Sequence, residues 1–223
     1  MWVVDDKLRQ LSQTLDAAGE PASSFGSMRV TLLRMTAHTP YNSGDIVVIC
    51  GPMFAGKTTE LVRRVRQAQQ QQRSICLIKP AQDNRWDART IQTHDGASMP
   101  AIALTHAEQV IEVAGDASLV VIDEAHFFGE ALLQPCLQLR AAQRSVMVVG
   151  VDTDHRGEPF DPFPSLIAIA DTVLRLQGVC AQCGAPSTNT QRLTHDDRHI
   201  VVGGAETYQP RCQACFNPPS NTR

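Results

Sequence analysis

No apolar run in these 223 residues approaches the roughly 20 needed to span a bilayer, so nothing reads as a membrane helix. Excess positive charge is also lacking. The 20 Lys and Arg stand against 23 Asp and Glu, a net charge of −3, which removes the broad basic footprint expected for binding nucleic acid or an anionic membrane. The N-terminus lacks the pattern of a secretory leader, because Met1-Trp2-Val3-Val4-Asp5-Asp6 carries acids where a signal places bases ahead of an apolar core. Internal repeats and long low-complexity tracts are missing, apart from the Gln69 to Gln72 run at a helix end. These absences make a cytoplasmic protein, with no membrane or nucleic-acid partner, the simplest expectation.

What is present is ordinary for a globular protein: 43% hydrophobic and 19% charged residues. The length suits one well-packed domain with a small appendage. Seven cysteines are an odd number for a disulfide framework. Cys50, Cys76 and Cys136 sit among apolar neighbours, where a free thiol behaves as a small hydrophobe. The other four form two Cys-x-x-Cys pairs near the C-terminus.

Residues 1–44 differ from the rest. A short amphipathic stretch, Leu8 to Ala18, runs into the linker chemistry of Gly19-Glu20-Pro21-Ala22-Ser23-Ser24. Two readings stand open: a loosely ordered extension, or a true start at Met28 or Met35. From Asp45 the pattern is α/β. Ile46 to Cys50 is a continuous apolar run, as in a strand buried on both faces. A helix is expected from Lys57 to about Gln72, then a strand from Ser74 to Lys79, then an irregular polar stretch over 81–100. Thr105-His106-Ala107-Glu108 has capping-box spacing ahead of a short helix. Two more buried strands, Leu119 to Ile122 and Val146 to Val151, flank a helical stretch around Ala131 to Gln143. Alternating strands and helices imply a mostly parallel sheet with helices on its faces. The segment from Val179 onward breaks the rhythm and reads as a separate small lobe.

Gly51-Pro52-Met53-Phe54-Ala55-Gly56-Lys57-Thr58 matches the Walker A pattern, with a strand before it and a helix after it. Glycine lets backbone N–H groups converge on phosphate oxygens, and the helix N-terminus adds its positive dipole end. Lys57 is placed to reach the β- and γ-phosphates of a nucleoside triphosphate, and Thr58 to ligate Mg²⁺. The motif identifies a P-loop and leaves the substrate open.

Leu119-Val120-Val121-Ile122 ends in Asp123-Glu124. A strand of this kind is expected beside the phosphate-loop strand, so that its acids emerge at the same edge. Asp123 is then placed to organise Mg²⁺, and Glu124 to accept a proton from an attacking hydroxyl. Asp123-Glu124-Ala125-His126 also spells a helicase signature. A helicase needs two nucleotide-fold domains and a basic groove, and the length and net charge supply neither.

Cys180-Ala181-Gln182-Cys183 and Cys212-Gln213-Ala214-Cys215 can close a tetrahedral four-thiolate zinc site, structural because no coordination position is left open. The intervening residues must make a real excursion, suited to a lid over a substrate or to a nucleic-acid-binding ribbon. A dithiol redox role lacks any thioredoxin-like context. The fold class expected is therefore α/β: a P-loop, mostly parallel sheet flanked by helices over 45–178, a zinc-ribbon-like lid lobe over 179–217, and a tail over 218–223.

From Asp45 to Phe216 these residues resemble the cytosolic (type II) thymidine kinase family. The resemblance rests on Gly51 to Thr58, on Asp83-x-Arg85 followed by Trp86, and on Thr93-His94-x-Gly96. It continues through Ile122-Asp123-Glu124-Ala125-x-Phe127-Phe128 and Asp152-Thr153-Asp154-x-Arg156-Gly157-Glu158-Pro159-Phe160. Thr190-Gln191-Arg192, Gly203-Gly204-Ala205-Glu206-x-Tyr208 and both cysteine pairs complete it in order. It implies transfer of the ATP γ-phosphate to the 5′-hydroxyl of thymidine, with Glu124 as general base and Arg85 and Arg192 near the transferred phosphate. Asp83 to Arg85 and Asp123 to His126 would frame the ATP. The loop between the cysteine pairs would hold the base through backbone groups of His199, Ile200, Val201, Val202 and Gly203. Tyr208, Met53, Phe127 and Thr190 would line the pocket. The resemblance also implies a homotetramer inhibited by dTTP. Two departures stand out. His155 occupies the place of a phenylalanine that packs on the thymine, which opens the alternative of a shifted preference such as deoxyuridine, and His126 replaces a glutamine. Residues 1–44 have no family counterpart. An ATP-dependent zinc-ribbon protein that binds nucleic acid is the competing reading from another class.

Overall fold

A computed structural model of the chain describes residues 42–83, 90–92, 96, 98–194 and 198–218. Nearly all of the 1–44 extension, Arg85, Trp86, Thr93, His94 and most of the tail lie outside the described residues.

Six strands form one parallel sheet: β1 (Ile46–Cys50), β2 (Ile75–Pro80), β5 (Ile102–Leu104), β6 (Leu119–Ile122), β7 (Ser145–Gly150) and β8 (Thr172–Arg175). Their spatial order is β5-β2-β6-β7-β1-β8. The strand carrying Asp123 and Glu124 is therefore not beside β1, as expected from its sequence. β7 lies between them, paired through Ile122↔Val148 on one side and Val48↔Val148 on the other. The acids still emerge at the same edge, because every strand runs in the same direction.

The continuous apolar runs follow from burial on both faces. Ile46, Val48, Val120, Ile122, Val146 and Val148 turn to one side, against Val110 of α2 (Gln109–Ala114), Leu139 of α3 (Leu133–Ala141) and Phe163 and Leu166 of α4 (Phe163–Ile169). Ile49, Leu119, Val121, Met147 and Val149 turn to the other, against Leu61, Val62, Val65 and Ala68 of α1 (Lys57–Gln70). The period of two along each strand delivers one residue to each layer in turn. Cys50, Cys76 and Cys136 are buried in this core, and burial pushes the Cys50 and Cys136 thiols up to about 12, so they act as apolar filler.

Three local expectations need correcting. The stretch 81–100 is not wholly irregular, because β3 (Thr90–Gln92) and β4 (Ser98–Pro100) pair as an antiparallel hairpin. At α2 the Thr105/Glu108 box does not form. Gln109 Oε1 instead accepts from the N–H groups of Thr105 (3.2 Å) and His106 (3.0 Å). The helix expected near Ala131 is preceded by 3₁₀ turns over Ala125–Leu132, interrupted by a kink at Gly129, and becomes α-helical only at Leu133.

The C-terminal lobe is built from two ribbons, β9 (Gly178–Val179) with β10 (Pro186–Ser187) and β11 (Asn189–Arg192) with β12 (Tyr208–Arg211). Their ends carry the cysteine pairs, and the connection from β11 to β12 is the excursion the cysteine spacing demands.

Candidate functional site

The C-terminal ends of parallel strands are where ligands bind in open α/β sheets. Here the phosphate loop follows β1, Asp83 follows β2, Asp123-Glu124 follow β6, and residues 151–155 follow β7. They meet in a cavity of about 620 Å³, within the range of a small-molecule site.

Two glycines make the phosphate loop. Gly51 has φ +136°, and a Cβ there would lie 2.3 Å from the carbonyl oxygen of Leu176, the residue directly after β8, so no side chain fits. Gly56 adopts a left-handed φ of +78° as the N-cap of α1, which releases the N–H groups of the first turn toward the cavity. Lys57, buried, donates from Nζ to the Pro52 carbonyl at 2.7 Å, so the loop is folded around its own ammonium. Met53 N–H donates to Thr190 Oγ1 at 3.0 Å, tying the loop to β11 of the ribbon lobe.

Glu124 adopts φ +48° and ψ +41°, a left-handed conformation costing on the order of 1 kcal/mol for a residue with a side chain. Phe54 shares this region at φ +64°. Both line the cavity, so the only positive-φ side chains that reach it, among the described residues, sit in the phosphate loop and at the acidic turn after β6. The Asp123 carboxylate accepts from the Glu124 N–H at 3.0 Å, fixing that turn. His126 stands with Nδ1 3.7 Å from Glu124 Oε2 and its ring 4.4 Å from that of Phe127. It therefore borders the carboxylate directly.

The lid is held from within by Arg192. Its guanidinium donates to the carbonyls of Arg198 (2.6 Å) and His199 (2.8 Å) and to the Tyr208 hydroxyl (3.2 Å). The Tyr208 hydroxyl donates in turn to the Val201 carbonyl at 2.8 Å. Arg192 thus braces the backbone that faces the cavity, in addition to any contact with phosphate.

Of the residues expected from sequence, Met53, Phe54, Gly56, Lys57, Thr58, Asp83, Asp123, Glu124, His126, Phe127 and His155 line this cavity from the α/β side. Thr190, Arg192, His199, Ile200, Val201, Val202, Gly203 and Tyr208 line it from the lobe. Gly51, Pro52, Ala55 and Ala125 do not; the first three shape the loop, and Ala125 is buried in the core. Arg85 lies outside the described residues.

Sequence reading missed Lys79, Asp154 and Phe160, which also line the cavity. Lys79 had a signal: a cation inside a strand that is otherwise apolar. It is 2% exposed, with Nζ 3.2 Å from Asp83 Oδ2 and 3.4 Å from the Thr90 carbonyl. Removing one partner of a buried pair leaves the other charge poorly solvated. Lys79→Met is expected to lower the unfolding free energy by about 3 kcal/mol in urea titrations. A loss below about 1 kcal/mol would show that the pair is not energetically buried.

His155 is 6% exposed, and burial, reinforced by the Arg192 charge, lowers its imidazole from 6.5 to about 4. It is neutral at physiological pH. Between these values the unfolded chain takes up a proton that the folded chain refuses, so its contribution is complete above pH 6.5 and is lost as pH falls toward 4. Urea titrations should show wild type losing about 2 kcal/mol more than His155→Gln between pH 7.5 and 4.5. Parallel losses in the two proteins would contradict the shift.

The sulfurs of Cys180, Cys183, Cys212 and Cys215 all lie within 4.8 Å of one another, with Cys183 and Cys212 at 3.6 Å. Tetrahedral zinc thiolates sit about 3.8 Å apart, so this donor set fits the ion. The N–H groups of Cys212, Gln182 and Cys183, directed at the Cys180 sulfur, lower that thiol to about 6, while the neighbouring sulfurs push the Cys183 and Cys215 thiols up, so Cys180 is the first of them to become a thiolate.

The chain is similar to known proteins along most of its length. The family model described as thymidine kinase matches residues 44–216. The thymidine kinase of Rhodothermus sp. (strain ITI 518) is 41% identical over 179 residues, covering 80% of this chain and 84% of that protein. The thymidine kinase of Coprothermobacter proteolyticus is 42% identical over 185 residues, covering 80% of this chain and 93% of that protein. The crystal structure of the flagellar accessory protein FlaH from Methanocaldococcus jannaschii is similar at a TM-score of 0.44 and 11% identity, covering 70% of this chain and 75% of that one. By the matched model and by relatives above 40% identity, this chain belongs to the thymidine kinase family.

Proposed function

We propose that this chain transfers the γ-phosphate of ATP to the 5′-hydroxyl of thymidine, giving dTMP and ADP. The observation that carries this reading is the meeting of a phosphate loop, a carboxylate on a strained turn and a ribbon lid around one cavity. Lys57 and the N-terminus of α1 hold the β- and γ-phosphates. Thr58 and Asp123 are the residues that would hold Mg²⁺, which when bound neutralises phosphate charge. Glu124 accepts the 5′-hydroxyl proton as that oxygen bonds to the γ-phosphorus. The bond to the β–γ bridging oxygen breaks, and ADP leaves. Lid backbone from His199 to Gly203 takes the base edge, with Met53, Phe127, His155 and Tyr208 around the ring. A lid that excludes water also suppresses idle hydrolysis of ATP.

The same reading includes zinc in the four-cysteine site, a cytoplasmic location, assembly as a homotetramer and inhibition by dTTP; the family resemblance supports these. It also includes the division at residues 44/45 and 178/179 and a role for Arg85 and Arg192 near the transferred phosphate. No helix among the described residues is long and apolar enough to cross a membrane.

The experiment is a steady-state comparison of thymidine, deoxyuridine and deoxycytidine with Mg-ATP. The highest kcat/KM is expected for thymidine. One observation favours a second reading: the neutral, buried His155 offers a smaller and more polar ring than the family's phenylalanine. Deoxyuridine at or above thymidine in kcat/KM would establish that reading instead.

A further inference from the structure

The lid residue His199 reaches across to the α/β body. Its Nε2 lies 3.2 Å from Asp154 Oδ2 in the turn after β7. A carboxylate only accepts at neutral pH, so Nε2 carries the hydrogen. The Asp154 side chain is 2% exposed and that of His199 is 57% exposed, so the buried acid is the fixed half of the pair.

Asp154 is fixed by its own turn. Its Oδ1 accepts from the N–H groups of Arg156 (2.8 Å) and Glu158 (2.9 Å), and its N–H donates to the Glu158 carbonyl at 2.9 Å. Oδ2 is thereby presented toward the lid. The His199 ring also meets Phe160 edge-on, with centroids 5.2 Å apart and planes at 67°. Its main-chain carbonyl is held by Arg192. His199 is thus gripped twice, by the lobe through its backbone and by the body through its side chain. The next lid residues line the cavity directly.

We propose that the His199–Asp154 contact is the clasp that seats the lid on the α/β body, making both positioning residues for the nucleoside. The proposal rests on the reading that lid backbone near His199 receives the base. Ordering the lid before the nucleoside arrives lowers the entropic cost of binding, so the clasp acts on affinity for the acceptor more than on the chemical step.

Two measurements on the full chain test it. In steady-state kinetics, His199→Ala is expected to raise KM for thymidine about tenfold or more, with kcat changed by less than about threefold and KM for ATP unaltered. His199→Gln, which can still donate to Asp154, should recover most of the lost affinity. In amide hydrogen exchange without nucleoside, residues 198–208 should lose protection in His199→Ala, while β1, β6 and β7 keep theirs. Exchange needs no turnover, so it judges the clasp even if thymidine proves not to be a substrate. Unchanged lid exchange in the alanine variant would overturn the proposal, as would a glutamine variant no better than alanine in KM.

Discussion

Glu124→Gln should lower kcat for nucleoside phosphorylation about a thousandfold, with the Kd for ATP changed by less than about threefold. A general base contributes typically 10² to 10⁴ in rate, and the amide keeps the size and the hydrogen-bonding reach but cannot take a proton. The local backbone sets the direction of this side chain. A glutamate with φ +48° is held in a left-handed conformation by the Asp123 carboxylate on its own N–H. That arrangement turns the carboxylate into the cavity shared by Lys57 and Thr58. ATP binding should survive, because the phosphate loop and α1 are separate chain segments built on β1, two strands from β6 in the sheet. A variant with wild-type kcat would remove Glu124 from the role of base. A variant that no longer binds ATP would show instead that the side chain shapes the donor site.

The second large effect is expected at the cysteine cluster. Cys212→Ser should abolish stoichiometric zinc and reduce kcat/KM for thymidine at least about a hundredfold, while ATP still binds. The ribbons β9/β10 and β11/β12 have little apolar surface to bury; Val179 and Leu193 are 67% and 42% exposed. Such a lobe cannot fold on hydrophobic burial alone, and a structural zinc supplies about 10 to 16 kcal/mol of apparent binding energy to small domains of this kind. The cluster lies at the root of the β11–β12 ribbon, whose far end carries Arg192, Tyr208 and the lid. The sheet core contains none of these cysteines and should keep its unfolding transition. Metal analysis, thymidine kinetics and ATP titration on one preparation check all three parts. Full activity without bound metal would contradict the structural role.

Residues whose chemistry demands a fixed spacing were readable from sequence: the phosphate loop, the acids ending β6, and the paired cysteines. The buried strands were readable because burial on both faces leaves an unbroken apolar run, as in Ile46–Cys50 and Leu119–Ile122. Strand order was not, since nothing in β7 records that it inserts between β1 and β6. The β3–β4 hairpin was hidden because three-residue strands are too short to show alternation. The capping box did not form at α2, because the N–H groups of Thr105 and His106 are taken by Gln109 Oε1 instead. Lys79 was legible as a cation in an apolar strand, with its partner Asp83 only four residues on, whereas the meaning of Asp154 depends on a distant partner. For Asp154 that partner is His199, 45 positions away.

In the proposed reaction the phosphate loop, Glu124 and the lid act on one acceptor hydroxyl. The most direct measurement follows the label from γ-³²P-ATP in a single turnover with saturating thymidine. The label should appear in dTMP in equal amount with ADP, and inorganic phosphate should stay near background. ATP bound normally with no label in any nucleoside product, or label released only as inorganic phosphate, would rule out phosphoryl transfer to a nucleoside.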